Sequence, residues 1–468
     1  MRPREVGEEP RHSLIAALFL ACAIVLGGGG SPNPGIELLL QLAFVAAALA
    51  WLWVTGSSGS MPIPRARSFW LIAALALVVP LAQLVPLPPD VWTNLGGRQA
   101  DRAAALALVG REASWQPLSL SPARTLAAVL AIIPALFAFF ATASLGARGR
   151  TRIVGTIAAM TVVAAMYGAL QLSLGATSPH LYLESHPTLT GFQANRNAAA
   201  DVFLIGIAAA AAFLAPSLYA HDSHRPGSRG PGLLADRRTA AIILAVVLAV
   251  LFFATVLTGS RTGIVLLLPV MAGVWVILYP ALANLGRMRL LPALAVFAAI
   301  PFAALAAWQS GNSALASVAE RFALADDARR EMWRDAWFAT TQAWPFGVGV
   351  GGAQPAMISA ERLEVLDPLL PNRVHNDYLE LALEGGLAAM LLLAVIALVL
   401  TVAAWRSWRK RPSDRHLTAL GIVILMVAAA HSVVDYPLRS MALACLIGTG
   451  AGLLMSTPRP RETNEPSA

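Results

Sequence analysis

The sequence predicts an all-α fold, a polytopic transmembrane helical bundle of about 12 spans with a long, partly helical loop on one face. Composition is the first reason. Of the 468 residues, 57% are hydrophobic and only 13% charged, too few charges to solvate the surface of a soluble protein of this length. The second reason is the recurrence of nearly uncharged apolar runs of about 18 residues or more. The third is that basic residues collect in alternate connections between those runs, as the positive-inside rule describes for a multi-pass protein.

In order, the expected spans are 13–28, 36–54, 70–87, 124–144, 153–174, 198–217, 239–257, 263–281, 290–308, 386–404, 417–434 and 440–456. The first follows Arg2, Arg4 and Arg11 without a cleavage site and reads as an uncleaved span. Pro80, Pro134, Pro269 and Pro301 do not interrupt the assignment, because neighbouring helices satisfy the carbonyls that a proline frees. One set of connections holds the N-terminal arginines, Arg65 and Arg67, then Arg148, Arg150 and Arg152. The same set continues with Arg225 to Arg238, Arg287 and Arg289, Arg406 to Arg415, and Arg459 and Arg461. With twelve spans all of these share the cytoplasmic side, together with both termini. The external segments are then 88–123, 175–197, 258–262, 309–385 and 431–439, while 218–238 is a cytoplasmic linker. Residues 1–189 read as a transmembrane scaffold, 190–440 as a membrane domain that includes the 309–385 loop, and 441–468 as the last span and tail.

The net charge of +8 does not point to nucleic acid, since the basic residues sit in short inter-helix loops and not on one soluble face. Membrane lipids are the expected surroundings. Lys410 is the one lysine, so arginine is this chain's default cation. Cys22 and Cys445 both fall inside spans, which argues against a disulfide framework or a thiolate metal site.

The external segments carry the unusual residues. Thr190-Gly191-Phe192-Gln193-Ala194-Asn195-Arg196-Asn197 leads into the sixth span, where Asn195 or Asn197 can cap the helix. Arg196 beside that N-terminus makes a corner suited to an anion, or else snorkels to the interface. The turn Thr258-Gly259-Ser260-Arg261 holds Arg261 at the membrane surface, facing either a ligand or lipid headgroups.

The long loop is the richest segment. Arg329, Arg330 and Arg334 fall within about a turn and a half of helix, with Trp333 and Trp337 spaced to face the core or the interface. Glu331 and Asp335 stand ready as salt-bridge partners. Pro345-Phe346-Gly347-Val348-Gly349-Val350-Gly351 permits close backbone approach, to a helix or to a ligand. It is not a P-loop, because no Lys-Ser/Thr follows and no strand precedes it.

His375 sits just before the tenth span, which Asn376 or Asp377 caps, and a neutral imidazole there can take a proton from a hydroxyl. Asp435, Tyr436 and Arg439 either support that site or only connect two helices. Arginines and a histidine on one face suit an anionic, lipid-borne substrate, because guanidinium forks stabilise a pyrophosphate leaving group without a metal ion. No Asp-x-Asp occurs in the chain, so neither a metal nor another cofactor is expected.

Thr190-Gly191-Phe192, Asn195-Arg196-Asn197, Ser260-Arg261, Arg329-x-x-x-Trp333, Pro345-x-Gly347-x-Gly349 and His375-Asn376-x-Tyr378-Leu379 follow one another in the order seen in the O-antigen ligase and polymerase superfamily. The chain resembles that superfamily over about 190–440. The resemblance implies a GT-C-like membrane glycosyltransferase that moves a glycan from undecaprenyl pyrophosphate to an acceptor at the periplasmic face, in the bacterial inner membrane and without metal. It implies that Arg261 and Arg329 grip the donor pyrophosphate, with Arg196, Arg330 and Asn376 as further substrate contacts. His375 is then the base for the acceptor hydroxyl. The acceptor is the lipid A core in a ligase and a carrier-linked repeat in a polymerase; protein O-glycan transferases share the motifs. A transporter or lipid flippase is the rival from another class. It would need ionisable groups near the bilayer midplane, whereas spans 239–257, 263–281 and 386–404 carry no charge. A sugar-binding membrane scaffold is the third reading.

Overall fold

A computed structural model describes residues 9–29, 34–58, 62–95, 99–175, 178–179, 181–182, 188–219, 236–283, 329–362, 364 and 373–455. The helices are α1 (Glu9–Leu26), α2 (Pro34–Ser58), α3 (Arg67–Ala82), α4 (Pro89–Trp92), α5 (Gln99–Ala107), α6 (Pro122–Ser144), α7 (Ala147–Leu174) and α8 (Arg196–Tyr219). They continue with α9 (Arg237–Leu257), α10 (Arg261–Ala283), α11 (Arg329–Ala343), α12 (Ala353–Ile358), α13 (Asp377–Lys410), α14 (Arg415–His431) and α15 (Met441–Met455). Eight of these are long and apolar enough to cross a membrane, and α1, α3 and α15 are shorter apolar helices beside them. Together they occupy every expected span except 290–308, which lies outside the described residues with 309–328 and most of the 218–238 linker.

Helix α8 is the axis of the bundle, with 94% of its apolar window buried. Its run of alanines lets neighbouring backbones come close, which is how helices associate where lipid supplies no hydrophobic drive. Gly206 of α8 faces Thr161 of α7, and Gly263 of α10 faces Ala200 of α8 so tightly that an added Cβ would lie 2.5 Å from the alanine methyl. One hydrophobic core runs from Ala16 to Leu453, so the scaffold and the expected catalytic region pack as a continuous unit.

The third span is shorter than expected. Helix α3 stops at Ala82, because Pro86 and Pro88 disfavour helix in the residues before them, and the chain turns into an antiparallel ribbon. There β1 (Pro86–Leu87) pairs with β2 (Gln116–Pro117).

The connections separate into two ends, in the grouping that the charge pattern predicts. At one end Leu120 N–H donates to Val348 C=O (2.9 Å), Ala194 N–H to Gly28 C=O (2.9 Å) and Asp377 N–H to Ser432 C=O (2.9 Å). At the other, Arg150 pairs with Asp414 at 3.2 Å, Arg152 donates to Pro10 C=O (2.7 Å), and Arg411 donates to Leu454 C=O (3.0 Å).

The glycine-rich stretch docks the α11–α12 unit onto α13. Val348 and Gly349 N–H donate to the carbonyls of Leu383 and Glu384, both at 2.9 Å, and Leu387 N–H reaches Pro345 C=O at 2.9 Å. The two alternatives left by the sequence resolve to a helix: these glycines approach backbone. Helix α13 is kinked where it receives them, at Gly386, whose φ of 58° lies in the left-handed region and whose missing Cβ leaves room for the Pro345 carbonyl. Gly386→Ala therefore collides and strains at once. Its expected cost is about 2–3 kcal/mol or more, read as a lower unfolding temperature of the purified protein.

Candidate active site

His375 is set between two helix starts. Its φ is 53°, an uncommon backbone for a residue with a Cβ and one that concentrates at functional sites. What imposes it is the scaffold on both flanks. On one side Val374 N–H and Arg373 both bind the buried Glu380 carboxylate at 3.1 Å. On the other, Asn376 caps α13 by accepting the Leu379 N–H (3.0 Å), and Asp377 Oδ2 accepts from Ser432 Oγ and Leu438 N–H, both at 3.0 Å.

The imidazole so held meets Asp435. His375 Nδ1 and Asp435 Oδ1 are 2.9 Å apart; the histidine side chain is 26% exposed and the carboxylate 4%. Tyr436 packs edge-on against the imidazole at 4.8 Å between ring centroids. The second Asp435 oxygen accepts from Asn197 Nδ2 at 2.6 Å and, more weakly, from Asn195 Nδ2 at 3.4 Å. Burial works against ionising Asp435, but the His375 hydrogen bond and the nearby histidines outweigh it and hold the carboxyl below the ordinary carboxylate range. Asp435 is thus an acceptor across the whole neutral range. It accepts a hydrogen bond from His375 Nδ1–H and so leaves Nε2 as the basic nitrogen.

Asn195 also caps α8, accepting the Asn197 N–H at 2.8 Å, so the asparagines that hold Asp435 sit at that helix N-terminus. Arg196 is the first residue of α8, half-buried between them. Arg261 begins α10 and is half-buried, beside the first turns of α8 through the Gly263–Ala200 contact. Arg329, the first described residue of α11, is half-buried and within electrostatic reach of His431. Arg330 is exposed, and Arg334 is exposed and paired with Glu331 at 3.0 Å. Arg196 and Arg261 each start a helix, the end at which the helix dipole already disfavours a cation. Such a placement raises the local positive potential and suits an anion.

Several residues of this site were not singled out from the sequence. Gly27 and Gly28 thread between two segments: Gly27 C=O accepts from Ala442 N–H (2.9 Å) and Ser440 Oγ (3.1 Å), and Gly28 C=O from Ala194 N–H (2.9 Å). Four glycines in a row at the end of the first span were the available signal. Glu380 and Glu384 are fully buried on the first turns of α13. Arg439 bridges them, at 3.1 Å to Glu380, and Glu384 Oε1 accepts the Ala353 N–H at 3.1 Å. Burial opposes the Arg439 charge, yet the two carboxylates prevail and make it hold its proton more tightly than a free arginine. This network fixes the loop that carries Asp435 to the helix that follows His375.

Residues 244–394 match the O-antigen ligase family. The match spans about a third of the chain and supports the O-antigen ligase superfamily. That family implies, in a general sense, a glycosyl-transfer enzyme, and the apolar helices fit a membrane protein. The ligase-family segment includes Arg261, Arg329, Arg330, His375 and Asn376; Arg196 and Asp435 lie outside it and reach the site through the fold. A comparison with curated protein sequences gives no match.

Proposed function

We propose that this chain is an O-antigen ligase, an inverting and metal-independent glycosyltransferase. On this reading it moves a glycan from undecaprenyl pyrophosphate to the lipid A core at the periplasmic face of the bacterial inner membrane. The observation that carries the reading is the His375–Asp435 pair at 2.9 Å, beside the helix starts that bear Arg196 and Arg261 and with Arg329 of α11 within electrostatic reach of His431. His375 Nε2 removes the proton from an acceptor hydroxyl, and the hydroxyl oxygen bonds to the anomeric carbon as the bond to the pyrophosphate oxygen breaks. The charge that develops on the leaving pyrophosphate falls to the arginines, and attack from the opposite face inverts the anomeric centre.

The transporter reading fits less well. Asp201 is the sixth residue of α8, only about 7.5 Å along the axis from its start, and His431 is the last residue of α14. Asp201 and His431 therefore sit near one end of the bundle and not at its middle.

The deciding experiment incubates purified protein with carrier-linked glycan and, separately, with lipid A core, a second carrier-linked glycan, or no acceptor. Transfer to the lipid A core, undiminished by chelator, is the expected result. Product only on the carrier-linked acceptor assigns a polymerase, and no product with either acceptor sinks the enzymatic reading. Within this assay Arg261→Lys and Arg329→Ala each remove a charge-assisted fork. Each is expected to raise the donor KM about ten- to a hundred-fold, the equivalent of about 1.5–3 kcal/mol, with the acceptor KM little changed.

A further inference from the structure

Beneath His375 and Asp435 lies a second histidine–carboxylate pair that the proposed reaction does not use. His431 Nδ1 and Asp201 Oδ1 are 2.6 Å apart, with side chains 1% and 2% exposed. The other ring nitrogen of His431 is buried and has no hydrogen-bond partner among the described residues, so Asp201 alone anchors the ring by hydrogen bonding. The two pairs are rungs of one ladder. Asn197 and Asp201 are one helical turn apart on α8, and Asp435 N–H bonds back to His431 C=O at 2.9 Å. Asn197 meets Asp435 on the outer rung, and Asp201 meets His431 on the inner one. Asp201 and Asp435 line the same small cavity, with Gly29, Asn195 and Ser440.

Two carboxylates on the wall of one buried cavity are strongly disfavoured unless each is compensated. Asp435 has His375 and two asparagine amides. Asp201 has His431, at a separation in the range of a charge-assisted bond. With the proton between them and a second on Nε2, such a pair carries no net charge.

We propose that Asp201 and His431 form a net-neutral positioning pair, which keeps a second buried negative charge away from Asp435 and thereby sets how tightly His375 holds a proton. The catalytic consequence rests on the reading of His375 as the base. Of the other charged groups nearby, Arg439 is neutralised by Glu380 and Glu384. Asp377 caps the 432–438 connection, Tyr436 packs edge-on against His375, and Arg329 approaches His431 from α11. From the helix starts, Arg196 and Arg261 add positive potential. The Asp201–His431 pair is the one among these whose two charges can be removed singly or together without touching His375.

His431→Gln leaves Asp201 as an uncompensated carboxylate, so His375 holds its proton more tightly. The acid limb of kcat/KM is expected to move up by about one pH unit. Asp201→Asn in that background removes the stray charge and returns the limb to its original position, a restoration that loss of packing alone would not give. NMR titration of His375 in purified, histidine-labelled protein reads the same shift without turnover. If the titration moves and the activity profile does not, the base assignment fails while the pair stands. A His375 titration unmoved in folded His431→Gln protein, or still displaced in the double variant, overturns the proposal. Should His431→Gln accumulate poorly, unfolding temperatures decide: the double variant must melt above the single one, and an equal or lower value overturns the pair's role.

Discussion

Replacing His375 by alanine is expected to lower glycan transfer by roughly two to four orders of magnitude, the range removed with a general base. Donor affinity should be nearly unchanged, because the arginines that would hold the pyrophosphate belong to other helices. Alanine at this position also keeps a left-handed backbone without the side chain that bonds Asp435, and a residue with a Cβ pays about 1–2 kcal/mol there. The companion variant is therefore His375→Asn. Asparagine tolerates φ of 53° better than alanine and can still donate to Asp435, but it cannot accept a proton near neutral pH. Equal losses of transfer in both variants, at wild-type membrane levels, would isolate the chemistry from the fold. Full activity in His375→Asn would remove His375 from the reaction.

The bundle was legible because its cause is local. Apolar runs such as 124–144 and 239–257 have no other use for their composition, and the helices found there begin and end within a few residues of the expected bounds. The separation of connections into two ends was legible for a similar reason, since basic residues mark one set. The third span failed at its carboxyl end, where Pro86 and Pro88 outweighed hydropathy. His375 stood out by its position before a span, and Asn376 by its capping chemistry. Asp435 was named only as one of two readings, support of that site or a plain connection, because its partners His375 and Asn197 are 60 and 238 residues away along the chain and no spacing rule links them. Glu380 and Glu384 were hidden in a different way. They precede the apolar part of α13, where a reading by hydropathy sees an ordinary loop, whereas the fold buries both and neutralises them with Arg373 and Arg439.

Asp435→Asn is the sharper test of how the histidine is used, because it changes one atom and no volume. Asn197 Nδ2 donates to one Asp435 oxygen at 2.6 Å, so the introduced asparagine keeps its carbonyl there and turns its NH2 toward His375 Nδ1. Nδ1 must then accept, the imidazole proton moves to Nε2, and the nitrogen that should receive the acceptor proton is already occupied. The expected loss is about 10²–10⁴-fold in kcat with KM nearly constant, the size seen when a carboxylate that fixes a catalytic tautomer becomes an amide. Stability should fall at neutral pH as well. The Asp435 carboxyl binds protons more weakly in the folded chain than in an unfolded one, so its contribution is complete above the ordinary carboxylate range and fades as pH drops through the depressed folded value. The tautomer effect is directional and has its own rescue. Adding Asn197→Asp to Asp435→Asn supplies an acceptor for the new NH2, which lets the carbonyl of the introduced asparagine face Nδ1 and returns the proton to that side of the ring. Partial recovery of kcat in this exchanged pair is the expected outcome, measured against Asn197→Asp alone. No recovery, with both proteins folded, would mean that Asp435 serves the site through its charge and not by holding the tautomer of His375.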